Sequence, residues 1–239
     1  MSSDGAGTIA NGSEDANNAG TSTQSPINFA GTYTFSGPRA QVQLPGLFPG
    51  STFAAYPSTG GGLLMLEIDS SGALLGSALP QTSTSIGATL GYALNLSGVN
   101  LGASVEVDEI SEFVAASASS NPNMTGKIDE NAQPIGALGT TYNQTLSGTY
   151  GTDGSGRGTI LVPSVNTVNG GFGLTFYPVD GSSFLFIEND GTPQVAVGVF
   201  EVQSAPNSSQ AQVRRVVPHI TMLPPKVSKK AAWKGIKTR

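Results

Sequence analysis

Several segments of this chain alternate apolar and polar residues with a period of two, the pattern of strands that bury one face. In Phe172-Gly173-Leu174-Thr175-Phe176 the apolar side chains fall on one side. Val195, Val197 and Val199 share a face, with Ala196, Gly198 and Phe200 opposite. Between such stretches stand hairpin signals: Asp153-Gly154-Ser155-Gly156, Asn169-Gly170, Asp180-Gly181 and Asp190-Gly191. Glycine accepts positive φ there, and the Asp or Asn side chain binds the turning backbone. Connections this short join antiparallel neighbours. Eight strands are predicted near 91–97, 111–117, 124–130, 143–150, 157–163, 171–178, 183–189 and 194–203. The expected fold is all-β: an antiparallel up-and-down barrel or curled meander, with a β-sandwich as the rival. Helix should be under about 10%, against a usual third, and confined to the tail.

The pattern also recurs within the chain. Gly31-Thr32-Tyr33 returns as Gly148-Thr149-Tyr150, and Phe53 to Pro57 as Gly173 to Pro178, with Tyr-Pro in register. Leu64-Met65-Leu66-Glu67-Ile68-Asp69 matches Leu185-Phe186-Ile187-Glu188-Asn189-Asp190, and Gly76 and Gln81 fall on Gly198 and Gln203. Gly12 to Asn17 pairs more weakly with Gly126 to Asn131. The spacing drifts only from 117 to 122, so insertions lie in turns. Three segments result: a truncated first β repeat over 1–82, a complete second repeat over 83–205 and a basic tail over 206–239. The first repeat, of about six strands, lacks the counterpart of Leu90 through Ala118 and should leave an unpaired sheet edge. The short linker Thr82 to Thr89 holds the copies close, with Leu90 to Ser97 expected beside the strand ending at Gln81.

These residues carry a resemblance. Asp4-Gly5-Ala6-Gly7-Thr8-Ile9 with Glu14-Asp15-Ala16-Asn17, Leu146 to Tyr150 followed by Gly156-Arg157-Gly158-Thr159, and Phe186 to Gly191 with Gln203 resemble the Gly/Thr-rich β-repeat proteins of Acidobacteria. The similarity spans about 4 to 203 and departs at Gly37-Pro38-Arg39-Ala40, which replaces Gly-Arg-Gly-Thr and should reshape that hairpin. It implies a β fold and an extracellular or cell-envelope location, exported or lipid-anchored, and no established activity. A Met start inside a repeat then points to a longer bacterial parent chain with other copies of the repeat and its own export signal.

Composition narrows the chemistry. Charged residues are only 11% of the chain, and Gly numbers 32. With no Cys there are no disulfides, thiolate metal sites or Cys nucleophiles. No apolar run reaches the roughly 18 residues of a transmembrane helix. Residues 1 to 213 hold all 16 acidic groups and only Arg39, Lys127 and Arg157 as bases, whereas 214 to 239 hold eight bases and no acid. That tail, with Lys226, Lys229, Lys230, Trp233 and Lys234, reads as a disordered extension with weak contact to anionic surfaces. Its stretch Gln212 to Val217 is β-prone enough to dock on a free edge.

Candidate sites are few. His219, the sole histidine, sits in the tail, so a Ser–His–Asp triad or multi-His metal site is not expected. Glu67/Asp69 and Glu188/Asp190 have the i, i+2 spacing of paired carboxylates, but each enters a turn, where Asp69 and Asp190 should accept backbone amides. Asp4-Gly5-Ala6-Gly7 and Asp153-Gly154-Ser155-Gly156 offer one carboxylate each, too few oxygens for calcium. Glu106, Asp108, Glu109 and Glu112 read as a solvated acidic loop. Arg157 is expected to flank a turn and bind nearby carbonyls or an acid. The sequons at Asn11, Asn95, Asn123, Asn143 and Asn207 carry no information at this composition.

No catalytic residue, metal or cofactor is therefore predicted, and no nucleic-acid partner. The expected function is a non-enzymatic structural or adhesive surface module. The alternative is a small-molecule-binding barrel of lipocalin type, which needs an apolar cavity. Phe172, Leu174, Phe176, Phe184 and Phe186 should instead fill a small barrel.

Overall fold

The computed structural model describes residues 2–18, 20–22, 25–45, 51–70, 72, 74–117, 119–134, 139–167 and 170–203. The basic tail with His219 and Trp233, and the predicted docking strand 212–217, lie outside them. The N-terminal part holds β1 (Ser2–Ser3), β2 (Thr8–Glu14), β3 (Asn17–Asn18), β4 (Thr21–Ser22), β5 (Ile27–Ser36), β6 (Arg39–Gln43), β7 (Thr52–Pro57), β8 (Leu63–Glu67) and β9 (Leu75–Ala78). Then come β10 (Gly91–Asn100), β11 (Val105–Ala115), β12 (Met124–Pro134), β13 (Gly139–Thr152), β14 (Gly158–Val162), β15 (Phe172–Pro178), β16 (Ser183–Glu188) and β17 (Gln194–Val202). Among the described residues there is no helix, hence none long and apolar enough to cross a membrane.

Strands β10 to β17 close into an eight-stranded antiparallel barrel, each beside its sequence neighbour. The seam is β10 against β17, with Tyr92 opposite Val202 and Asn100 opposite Gln194. Only the last four residues of β13 pair with β14, while the rest of β13 extends along β12. This stagger tilts the strands as closure requires. The barrel thus excludes the sandwich. Its strands follow the hydrophobic alternation closely except at β11, which starts at Val105, six residues before the predicted 111–117. Glu106, Asp108, Glu109 and Glu112 are strand residues, not a solvated loop. Glu106, Asp108 and Glu112 point outward and Glu109 inward among Val105, Val107 and Phe113. Acid density disguised a strand whose period of two is intact.

Inside, Tyr92, Phe113, Phe176, Phe184 and Phe200 are at most 2% exposed. Phe184 stacks on Phe200 at 4.4 Å, Tyr92 on Phe113 at 5.3 Å, and Phe176 meets Phe200 edge-on at 5.3 Å. Burying each ring contributes about 2 kcal/mol. Phe172, Leu174 and Phe186 join the same core. At one barrel end the linker residue Ile86 packs on this core and the Tyr92 hydroxyl donates to the Gly87 carbonyl at 2.9 Å. At the other end Val165, from the loop after β14, packs on it.

The N-terminal strands form an open seven-stranded sheet in the order β1-β2-β5-β6-β7-β8-β9. Its edges are β1 and β9, so one edge carries a two-residue strand and the other stays open. Its core is smaller: Ile9, Ala40, Val42, Leu44, Phe53 and Ala55, with Phe29, Tyr33, Leu63 and Met65 half-buried against it. Leu90 to Ser97 does not lie beside the strand preceding Gln81. That stretch is taken up by β10, which pairs with β11 and β17. Gln81 and Thr82 instead meet the barrel at Gly156 and Val179, where Thr82 N donates to the Val179 carbonyl at 2.7 Å. Closing the barrel satisfies both edges of β10, which leaves no ladder for β9 to join.

Candidate functional site

The most developed polar site lies where the N-terminal sheet meets the outer wall of the barrel. After β2 the chain leaves its ladder and runs across β15 and β16, with Asp15 and then Asn17, the first residue of the small β3–β4 hairpin. The Asp15 side chain is fully buried there. Arg157 grips it in two-pronged fashion, Nε to Oδ2 at 2.8 Å and Nη2 to Oδ1 at 2.7 Å. The Tyr177 hydroxyl donates to Oδ2, and Asn189 Nδ2 donates to Oδ1 at 3.2 Å. Such a bidentate, charge-assisted pair fixes geometry as well as adding energy. The Asp15 carboxylate raises the Arg157 pKa, and burial beside it pushes the Tyr177 hydroxyl up.

Two further residues seat the segment. Asn17 Nδ2 donates to the carbonyls of Glu188 (3.0 Å) and Gln194 (2.7 Å), so it closes over the β16–β17 turn. Gly20 has φ +85° and lies against Pro193, where a Cβ would fall 2.7 Å from the proline Cα. Only glycine meets both demands.

The anticipated turn residues occupy defined places. Asp190 Oδ2 accepts from Gly173 N at 3.0 Å and its Oδ1 from Thr192 N at 2.9 Å. Asp69 accepts from Thr52 N. Each aspartate thereby ties the end of one strand to the start of the strand before it. Arg157 follows the β13–β14 turn, closed by Asp153 N donating to its carbonyl at 3.0 Å, and its side chain reaches an acid 142 residues away. Asp4 and Asp153 bind their own turn amides, Ala6 N at 2.8 Å and Ser155 N at 2.9 Å. Asn123, noted only for its sequon, is buried and brackets Tyr150, accepting from its N–H at 2.7 Å and donating to its carbonyl at 3.0 Å. Asn11 and Asn143 have positive φ, each within an irregularity of its ladder.

The carboxylates preceding these aspartates differ. Glu67 accepts from Ser51 Oγ and Leu74 N, both at 3.1 Å. Glu188 is 1% exposed, opposite Leu174 inside the barrel, and faces Thr192 and Gln194. Burial, aided by the Asp190 charge, pushes its carboxyl up to about 8.

Sequence reasoning missed an interior polar patch. Glu109 and Glu130 stand opposite each other in the β11–β12 ladder, both buried. Thr141 is opposite Glu130, and Ser111 shares the inward face with Glu109. The alternation of β11 and β12 already put both glutamates on the apolar face; their acidity hid this. Among the described residues no three or more His, Cys, Asp or Glu side chains converge as a metal site.

No protein-family model matches the chain, and no curated protein matches it in sequence.

Proposed function

We propose that this chain is a non-enzymatic structural module of the bacterial cell exterior, built from repeats that lock onto one another through a buried aspartate. The observation that carries this reading is the Asp15 carboxylate, held against the barrel wall by Arg157, Tyr177 and Asn189. A side-chain lock of this order, made across 142 residues of chain, builds a rigid junction between two β bodies. The barrel core supports the same reading, since its rings pack on one another and Ile86 and Val165 of the flanking loops pack on it. The resemblance to Acidobacterial β-repeat proteins and the low charge content support a place in the envelope or outside the cell.

A lipocalin-like binder is the second reading, and the interior patch favours it. Glu109, Glu130, Ser111 and Thr141 would supply the few convergent polar groups that such a site needs. Titration with an environment-sensitive apolar fluorophore separates the two. The structural module predicts no saturable binding; stoichiometric, saturable binding would establish the binder. Protease accessibility on intact cells of the source organism tests the location, with complete protection counting against it.

A further inference from the structure

The outer wall that receives Asp15 has a counterpart on the open sheet whose apolar residues lie largely exposed. The ladders align the two walls. Ala40 pairs with Ala55, Tyr56 with Leu64, and Leu66 with both Ala54 and Leu75. In the barrel Gly158 pairs with Phe176, Tyr177 with Leu185, and Ile187 with Thr175 and Val197. Arg39 immediately precedes Ala40 as Arg157 precedes Gly158, so register puts Arg39 beside Tyr56 as Arg157 stands beside Tyr177. The Gly37-Pro38 turn shortens the hairpin yet leaves the arginine in place, so Arg157 corresponds to Arg39 in the ladders although it falls on Pro38 residue by residue.

Exposure separates the two walls at Tyr56, Leu64 and Leu66 against Tyr177, Leu185 and Ile187. On the barrel, Thr175 is 2% exposed, Tyr177, Leu185 and Ile187 are only partly accessible, and Val197, the counterpart of Leu75, is 42% exposed. On the open sheet, Tyr56, Leu64, Leu66 and Leu75 are 48%, 58%, 50% and 83% exposed, while Ala54, the counterpart of Thr175, is buried as Thr175 is. These four form one contiguous apolar patch, which a soluble β-sheet seldom leaves bare. Among the described residues the only ion pair is that of Arg157 with Asp15, so Arg39 has no carboxylate. The cation and the phenol of the receiving arrangement thus recur among apolar neighbours, with Ile68 and Ala54 where the barrel has Asn189 and Thr175, and without an incoming segment.

We propose that the wall formed by Arg39, Tyr56, Leu64, Leu66 and Leu75 is a docking site for the acidic segment of a further repeat of the same build, one resembling Ser13 to Gly20. The incoming aspartate pairs with Arg39 and accepts the Tyr56 hydroxyl, while the small residues after it cover Leu64 and Leu66. This rests on the reading of the chain as interlocking repeats, and it gives the molecule a heterologous, head-to-tail contact that extends without closing.

The test uses the whole chain, labelled with 15N, and a synthetic peptide of residues 12–22 at up to millimolar concentration. Expected are saturable shifts of amides in β6 to β9. They persist in Arg157→Ala, weaken about tenfold or more in Arg39→Ala, and vanish with a peptide carrying Asp15→Asn. The spectrum itself reports whether each variant folds, and Tyr56→Phe serves as a milder second variant, expected to weaken binding. Absence of shifts, shifts that Arg39→Ala leaves unchanged, or shifts confined to the wall around Arg157 would overturn the proposal. Failure here leaves the barrel's fluorophore titration untouched, so the two readings fall separately.

Discussion

Two buried acids illustrate how a neighbour decides what a carboxylate does. Asp15 has a bidentate arginine, a phenol and an amide. Removing the cation strands a charge in a dry site, which costs about 3 to 5 kcal/mol. Arg157→Ala is therefore expected to lose stability of that order in urea denaturation. The Asp15→Ala, Arg157→Ala double variant should lose much less than the two single losses together. Glu188 has no cation beside it among the described residues, and burial holds its carboxyl at about 8, well above the usual carboxylate range. A raised carboxylate pKa means that the folded chain binds more protons than the unfolded one between the two values. Stability from this group is then full below about pH 4.5 and is lost as the pH rises toward 8. The slope is at most about 1.4 kcal/mol per pH unit. Glu188→Gln should flatten the fall measured between these limits; an unchanged slope would mean that Glu188 is ionised throughout.

Strands at matching places in the two ladders obey different rules according to what stands beside them. Gly198 in β17 has β10 as a neighbour, and a Cβ there would overlap the Asn95 carbonyl and the Phe186 ring. Gly76 in β9 has the same relation to β8 that Gly198 has to β16, but β9 is an edge and a Cβ would meet nothing within 4 Å. Gly198→Ala should accordingly destabilise by about 2 kcal/mol or more as the barrel seam shifts. Gly76→Ala should be neutral or gain up to about 1 kcal/mol through lost unfolded-state freedom. Thermal denaturation of the two variants decides this, and equal effects would contradict the assigned seam.

At the scale of the molecule, a closed barrel with a ring-filled core adjoins an open sheet with a smaller one. Amides in edge strands and thin cores open by local fluctuation, whereas those of a closed core exchange by near-global unfolding. Hydrogen exchange is expected to be slowest in β10, β11 and β17 and fastest in β1 and β9, with β5 to β7 between. Arg157→Ala should speed exchange throughout the open sheet while leaving the barrel core nearly unchanged. Uniform acceleration of both would show that the two bodies open as one unit.

What the sequence determined by itself is local. Alternation placed seven of the eight barrel strands to within a few residues, and Asp-Gly turns made them antiparallel neighbours, because pleat and turn chemistry depend on adjacent residues. The inward Phe172, Leu174, Phe176, Phe184 and Phe186 were legible for the same reason. The turn aspartates Asp69 and Asp190 were too, since each acts on backbone 17 residues away. Tertiary structure alone decided the rest. Pairing of β10 with β17 joins residues about a hundred apart, and loop closure on that scale leaves no local mark. The interior position of Glu109 and Glu130 ran against the usual exposure of acids, so composition overrode a correct alternation. The partner of Arg157 depends on where Asp15 arrives after leaving its strand, and the equivalence of Arg39 with Arg157 depends on ladder register across turns of different length. Both are matters of which backbones lie side by side, a property that only the folded chain possesses.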